Sequence, residues 1–184
     1  DMWVFGYGSL IWRPGFSYVQ SEVCYAKGYK RVWHQGSTDH RGTPGKPGRT
    51  VTLAEQKDAK VWGRAFKIRE DDVQEVYAYL LEREKQYDLE TDFELYNVTD
   101  GEENVVVEAA KTWIATPDTE KNPNYLGPLP LSELSAQIAS STGPSGPNSQ
   151  YLFMLCEAMR EYGLHDDDLF ELEKQVQSRL EKEL

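Results

Sequence analysis

Residues 2–12 read MWVFGYGSLIW, four residues of packed-strand character running straight into a glycine-rich turn. Met2-Trp3-Val4-Phe5 combines aromatic and β-branched side chains that suit a pleated, buried surface. Gly6 and Gly8 then permit backbone angles and close approaches that a Cβ would obstruct. Two readings fit such a Gly-x-Gly step: a strand ending in a bulge or turn, or a loop whose amide N–H groups hold an oxygen-rich ligand. The rest of the chain has to decide between them.

Working outward, the first half continues as strands and loops. Further strands are expected near Val23–Tyr29, Tyr29–His34, Thr50–Ala54 and Lys60–Lys67. Between Gly36 and Thr50 lies GSTDHRGTPGKPGRT, whose Pro44-Gly45 and Pro47-Gly48 pairs are turn chemistry. It is long for a compact connection and carries His40, Arg41, Lys46 and Arg49, so it is expected to be functional and mobile. From Glu70 to Glu84 the period becomes helical, with Glu70, Asp71 and Asp72 in the first turn where the helix dipole favours negative charge. Strands return near Phe93–Asn97 and Val105–Ile114 around the Asp100-Gly101 turn. Helices are expected at Leu131–Ser141, at Ser149–Gly163 with Asn148 or Ser149 as N-cap, and from Asp166 onward. Leu152, Leu155, Met159, Leu169 and Leu172 are their packing residues. The whole, residues 1–184, reads as a single α+β domain: a strand-rich core, an inserted helix and a helical C-terminal cover. Asp1 ahead of Met2 is expected to be foreign to the natural chain, and the residues after Arg179 are open to the same reading.

Charge and composition exclude several classes of function. At 184 residues the chain can bury a sizeable core. Its formal charge of −11 would repel nucleic acid and anionic membrane. The segment Lys27–Arg49 nevertheless holds Lys27, Lys30, Arg31, Arg41, Lys46 and Arg49 against Asp39 alone. Such a basic island is either a solvated face or a site for a small carboxylate. Cys24 and Cys156 have neither disulfide-framework nor zinc spacing, which fits a reducing cytosol. Cys156, in LFMLCEAM, reads as a packed helix thiol. His34, His40 and His165 show no metal-ligand clustering, and no metal or cofactor is called for. The N-terminal apolar run is too short for a signal peptide or membrane span.

Glu84 is the most informative single residue. At 100° per residue it falls about 20° from Val73 and Tyr77 and about 40° from Leu80, on the apolar stripe. Glu82 falls about 200° away, on the polar face. A carboxylate on the buried stripe is costly unless paired or neutral, and desolvation should raise its pKa. One alternative is that the helix has frayed there and left Glu84 in solvent; another is that Lys85 pairs with it. The functional alternative is a general base tuned toward neutrality.

Taken together, FGYGSLIW, WHQGSTDHRGTPGKPGR, LEREKQY, NYLGPLP and GPSGPNSQYLF resemble the ChaC-type γ-glutamylcyclotransferases, the glutathione-specific group, over Met2 to about Leu180. The resemblance implies a γ-glutamylcyclotransferase-like fold, a small mixed β-barrel with packed helices. It implies a cytoplasmic, cofactor-free lyase that converts reduced glutathione to 5-oxoproline and cysteinylglycine. The family's Y-G-S-L loop, which binds the γ-glutamyl group, maps onto Tyr7, Gly8, Ser9 and Leu10, with Phe5 and Gly6 leading into it. Its catalytic glutamate, within R-E-K, maps onto Glu84. In that light the Gly8-Ser9-Leu10 amides are expected to face the γ-glutamyl group, with Ser9 a hydrogen-bond donor rather than a nucleophile. Arg41 and Arg49 are open to two readings, as a fork for the glycyl carboxylate or as anchors for backbone carbonyls. Tyr125 and Tyr87 either meet substrate or only pack. Two functional alternatives stand beside this one: the same chemistry on other γ-glutamyl peptides or amines, and a non-catalytic binding module of the same fold.

Overall fold

The computed structural model describes residues Asp1–Leu184. Five strands, β1 (Met2–Gly6), β2 (Gln20–Ser37), β3 (Gly48–Ile68), β4 (Leu89–Thr99) and β5 (Glu102–Ile114), close into a small barrel in the order β1-β3-β2-β4-β5. β1 is antiparallel to β3, with Val4 opposite Phe66, and parallel to β5, with Trp3 opposite Ala110. That parallel pair makes the sheet mixed. The β4–β5 hairpin turns at Asp100 and Gly101, both at positive φ. The expected α+β barrel is therefore present.

Strand lengths depart from the sequence reading. The two strands expected on either side of Tyr29 are one, β2, and the pair expected at Thr50–Ala54 and Lys60–Lys67 is also one, β3. Gly28 in β2 (φ 83°) and Asp58 in β3 (φ 64°) adopt left-handed backbone. In each case one such residue bends a paired strand without ending it, as a bulge does.

Contacts group the chain into two compact units: Asp1–Arg31 with Leu53–Asn122, and Val32–Thr52 with Pro123–Leu184. In the first unit, a 3₁₀ turn at Glu70–Asp72 leads into α1 (Val73–Arg83). Val76 and Leu80 are buried with Met2, Val4, Leu10, Phe66, Ile68 and Trp113, and Val73, Tyr77 and Tyr87 pack against this cluster. Apolar residues spaced three and four apart thus fix α1 against the barrel wall. Leu81 falls off the stripe and is exposed.

The second unit contains α2 (Leu131–Ser140), the short β6–β7 hairpin (Thr142–Gly143, Gly146–Pro147), α3 (Asn148–Glu161) and α4 (Asp167–Lys182). Leu152, Leu155, Met159, Leu169 and Leu172 are all buried, as their spacing implied. Asp166 caps α4, its carboxylate accepting from Leu169 N–H at 3.0 Å. The cap expected for α3 is different: Pro147 precedes the helix, and the Asn148 side chain clamps the main chain of Arg49, accepting from its N–H (2.8 Å) and donating to its carbonyl (2.9 Å). Both cysteines are free and buried, and burial pushes the Cys24 thiol up to about 12. No helix is long and apolar enough to cross a membrane.

Candidate active site

β1 ends at Gly6 and the chain turns through Tyr7-Gly8 into a 3₁₀ turn, Ser9–Ile11. Ile11 N–H donates to Gly8 O at 2.9 Å and Arg13 N–H to Ser9 O at 2.8 Å. A Cβ on Gly6 would lie 2.4 Å from Leu10 Cβ. The glycine is thus required for the loop to fold back on its own strand, as the strand-to-turn reading of the Gly-x-Gly step asks.

Arginines from three elements hold the loop. Arg31 Nε of β2 donates to Tyr7 O at 2.7 Å, and Arg64 Nη1 of β3 to Ile11 O at 2.8 Å. From the end of α1, Arg83 donates through Nη2 to Ser9 Oγ (2.9 Å) and through Nη1 to Pro14 O (2.7 Å). The Tyr7 hydroxyl donates to Trp113 O at 2.6 Å. Phe5 packs inside the barrel, its ring 6.3 Å from that of Phe93, and Leu10 belongs to the core under α1. The side chains of Phe5, Tyr7 and Leu10 are therefore committed to packing and anchoring. What the loop offers a ligand is the Ser9 hydroxyl and the main chain of Gly8-Ser9-Leu10, whose amides precede the first hydrogen bond of the turn.

Glu84 is the C-cap of α1. Its N–H donates to Leu80 O and its carbonyl accepts from Tyr87 N–H, both at 2.8 Å, so the chain is held through this position and is not frayed. The Glu84 side chain is 15% exposed, whereas that of Glu82 is 78% exposed. Lys85 pairs with Glu82 at 3.0 Å, which removes it as the partner of Glu84. Burial pushes the Glu84 carboxyl from 4.5 up to about 7, with the Arg83 guanidinium, 4.0 Å away, limiting the rise. A carboxyl with that value can accept a proton and return it near neutrality.

Arg41, Arg49 and Tyr125 lie in the second unit, and each is engaged there. Arg49 is buried; Nη1 donates to Trp33 O (2.9 Å) and Gly127 O, and Nε to Gln137 Oε1 (2.7 Å). Arg41 Nη1 donates to Gln150 Oε1 (2.7 Å) and Pro147 O (3.2 Å). These are contacts of the carbonyl-anchoring kind. Tyr125 pairs as an isolated bridge with Gln35, and its hydroxyl lies 3.3 Å from His34 Nδ1. The connection between β2 and β3, expected to be mobile, is tied at several points. Ser145 N–H donates to His40 O (2.9 Å), and Gln137 Nε2 and Ser141 Oγ donate to Pro47 O (3.0 and 3.1 Å). Its glycines serve contact as well as freedom: a Cβ on Gly42 would lie 2.0 Å from Gly48 N.

Arg64 and Arg83 were not singled out from the sequence, and Arg31 only as part of the basic island. Arg83 had a signal, since it stands beside Glu84 in the R-E-K triplet. Arg31 and Arg64 had none, because a strand arginine reaching a distant carbonyl leaves no local pattern. No group of three or more His, Cys, Asp or Glu side chains is disposed to share a metal ion.

Comparison with known proteins identifies the family of the chain. The model of the ChaC-like protein family matches residues 2–179. Gamma-glutamylcyclotransferase 2-3 of Arabidopsis thaliana is 47% identical over 176 residues, 95% of this chain and 88% of that protein. Glutathione-specific gamma-glutamylcyclotransferase 1 of Danio rerio is 41% identical over 175 residues, 94% of this chain and 87% of that protein. A crystal structure of a yeast γ-glutamyl cyclotransferase specific to glutathione superposes with a TM-score of 0.86 at 27% identity, covering 96% of both chains. With a family model matched across nearly its full length and relatives above 40% identity, the chain belongs to the ChaC-like family.

Proposed function

We propose that the protein is a glutathione-specific γ-glutamylcyclotransferase acting in the cytoplasm, with Glu84 as its one proton-transfer group. The observation that carries the proposal is a carboxyl buried at the end of α1 with its pKa pushed up to about 7, joined through Arg83 to the Ser9 loop. Relatives whose names specify glutathione support the substrate. Two free, buried cysteines fit a reducing compartment.

The chemistry asks little of the protein beyond folding the substrate and moving one proton. The γ-glutamyl α-amine attacks the γ-amide carbonyl carbon of the same molecule and forms the C–N bond of a five-membered ring. Because attack is intramolecular, holding the near-attack conformer supplies much of the acceleration. The attacking nitrogen sheds a proton to Glu84. As the C–N bond to the cysteinyl nitrogen breaks, that proton passes to the departing amine, giving 5-oxoproline and cysteinylglycine with no net proton change. Amides of Gly8-Ser9-Leu10 donate to negative charge on the γ-glutamyl group or on the tetrahedral oxygen. Arg41, Arg49 and Tyr125 are assigned to holding the second unit's loops.

The test is incubation of the purified protein with reduced glutathione, without metal or cofactor, beside Glu84→Gln and with γ-glutamyl-alanine as comparison substrate. Equal amounts of 5-oxoproline and cysteinylglycine from the wild type alone, by mass spectrometry, are expected. Turnover of γ-glutamyl-alanine at the same efficiency would overturn the specificity. No product from either compound would overturn the enzyme reading.

A further inference from the structure

Three arginines hold the Ser9 loop, but only Arg83 lies next to Glu84. Its side chain is 13% exposed, and each of its three nitrogens has a polar neighbour. Nη1 reaches Pro14 O and Tyr79 Oη (3.1 Å), Nη2 reaches Ser9 Oγ, and Nε lies 4.0 Å from Glu84 Oε1. The segment it grips is built to come close: Gly15 has φ 75°, and a Cβ there would lie 2.2 Å from Tyr79 Oη and 3.3 Å from Arg83 Nη1. A planar fork can satisfy a hydroxyl and a carbonyl at once, which an ammonium on a flexible stem does poorly.

We infer that Arg83 is a positioning residue that sets the Ser9 loop and the Glu84 carboxyl in one fixed arrangement, and this rests on the reading of Glu84 as the base. An arginine needed only to anchor the loop would resemble Arg31 and Arg64, which grip main-chain carbonyls and do not adjoin Glu84 in sequence. Arg83 instead reaches the loop hydroxyl through Nη2 and the carboxyl of the adjoining base through Nε, so its displacement moves both.

The remaining charged groups around this corner are otherwise engaged. Lys85 is turned to Glu82, and Glu90 of β4 to Tyr77 (2.7 Å) and Lys111 (3.5 Å). Asp88 holds Thr116, accepting from its N–H at 2.7 Å. Arg31 and Arg64 are bonded to loop carbonyls. Arg83 is accordingly the charge whose removal Glu84 should register.

The experiment compares Arg83→Met and Arg83→Lys in the full-length protein by two independent measurements. The first is kcat and KM on reduced glutathione. The second is titration of the Glu84 carboxyl by NMR with ¹³C-carboxyl-labelled glutamate, the signal assigned by its loss in Glu84→Gln. Arg83→Met is expected to lower kcat by about 100-fold, the scale of a small misplacement of reacting groups, and to raise the Glu84 titration midpoint. Arg83→Lys should keep the midpoint near that of the wild type and still lose kcat, because it restores the charge without the fork. Should the methionine variant not fold, the lysine variant alone decides, and wild-type kcat in it would overturn the inference. So would an unchanged Glu84 midpoint and kcat in Arg83→Met, or activity in both variants that merely follows the folded fraction. The carboxyl titration needs no turnover, so failure of the base reading (an active Glu84→Gln) is distinguishable from failure of this one.

Discussion

Replacing Glu84 with glutamine should do two opposite things: abolish turnover and stabilise the fold at alkaline pH. The carboxyl's pKa stands at about 7 in the folded protein against 4.5 when unperturbed, because burial disfavours its charged form more than Arg83 favours it. Between those values the folded chain keeps a proton that the unfolded chain has released. Stability therefore falls as pH rises from about 4.5 to about 7 and stays at the lower level above that. At about 1.4 kcal/mol per pKa unit the full penalty is roughly 3 kcal/mol. Glutamine has nearly the shape of the protonated acid and does not titrate, so Glu84→Gln removes the slope. For a chain of this size the gain at pH 8 corresponds to roughly 6–12 °C in Tm, shrinking toward zero near pH 4.5. Thermal unfolding of both proteins across pH 4.5–8.5, followed by circular dichroism, measures it. Turnover should drop by about 10²–10⁴-fold, the usual contribution of a general acid–base group. A stability difference of the same size at pH 5 and pH 8 would refute the buried-base argument, whatever happened to turnover.

Glu82→Gln is the matched control: its carboxylate is largely exposed and pairs only with Lys85, so stability should change by less than about 0.5 kcal/mol and kcat by less than about twofold. A loss of turnover like that of Glu84→Gln would break the distinction between the two helix faces. Arg49→Met should cost about 3 kcal/mol in urea unfolding, because it leaves the carbonyls of Trp33 and Gly127 without their buried donor; unchanged stability with a raised KM would return Arg49 to the role of carboxylate fork. The Arg49 and Ser145 amides, bonded to Asn148 Oδ1 and His40 O, should show the same hydrogen-exchange protection with and without 5-oxoproline. Protection appearing only with ligand would restore the connection between β2 and β3 as a closing lid.

The parts of the site legible in the sequence are those set by local periodicity. Glu84 could be placed on the buried face by counting turns from Val73, Tyr77 and Leu80, and the structure leaves Glu82 outside and Glu84 inside. The α3 and α4 packing leucines were legible for the same reason. Long-range partners were not. Arg49 meets Trp33 and Gly127, and Arg41 meets Pro147 and Gln150, positions that only the tertiary fold brings together. The glycines of residues 36–48 have a second role that was hidden for the same reason. Read locally, they mean conformational freedom; the fold adds that at Gly42 and Gly48 the lack of a Cβ lets two backbone segments touch.

The position of Glu84 at the end of α1 also bears on why one group can serve as both base and acid. A helix C-terminus carries the negative end of the helix dipole and favours cations. A carboxylate there is opposed by the dipole as well as by burial, so two influences favour its neutral form. Arg83 works against both from 4.0 Å. Removing the arginine would shift the carboxyl further toward its protonated form and weaken it as an acceptor of the attacking amine's proton; a closer or second cation would shift it toward the ionised form and weaken it as a donor to the leaving nitrogen. A midpoint near neutrality is where acceptance and return are both affordable. The same guanidinium fixes Ser9, so the element that balances the base also locates the loop on which the substrate is proposed to sit. Charge balance and loop geometry therefore meet at one residue, and substitution of Arg83 should disturb both together, whereas substitution of Arg31, which grips the loop at Tyr7 O, should disturb the loop and leave the Glu84 titration in place.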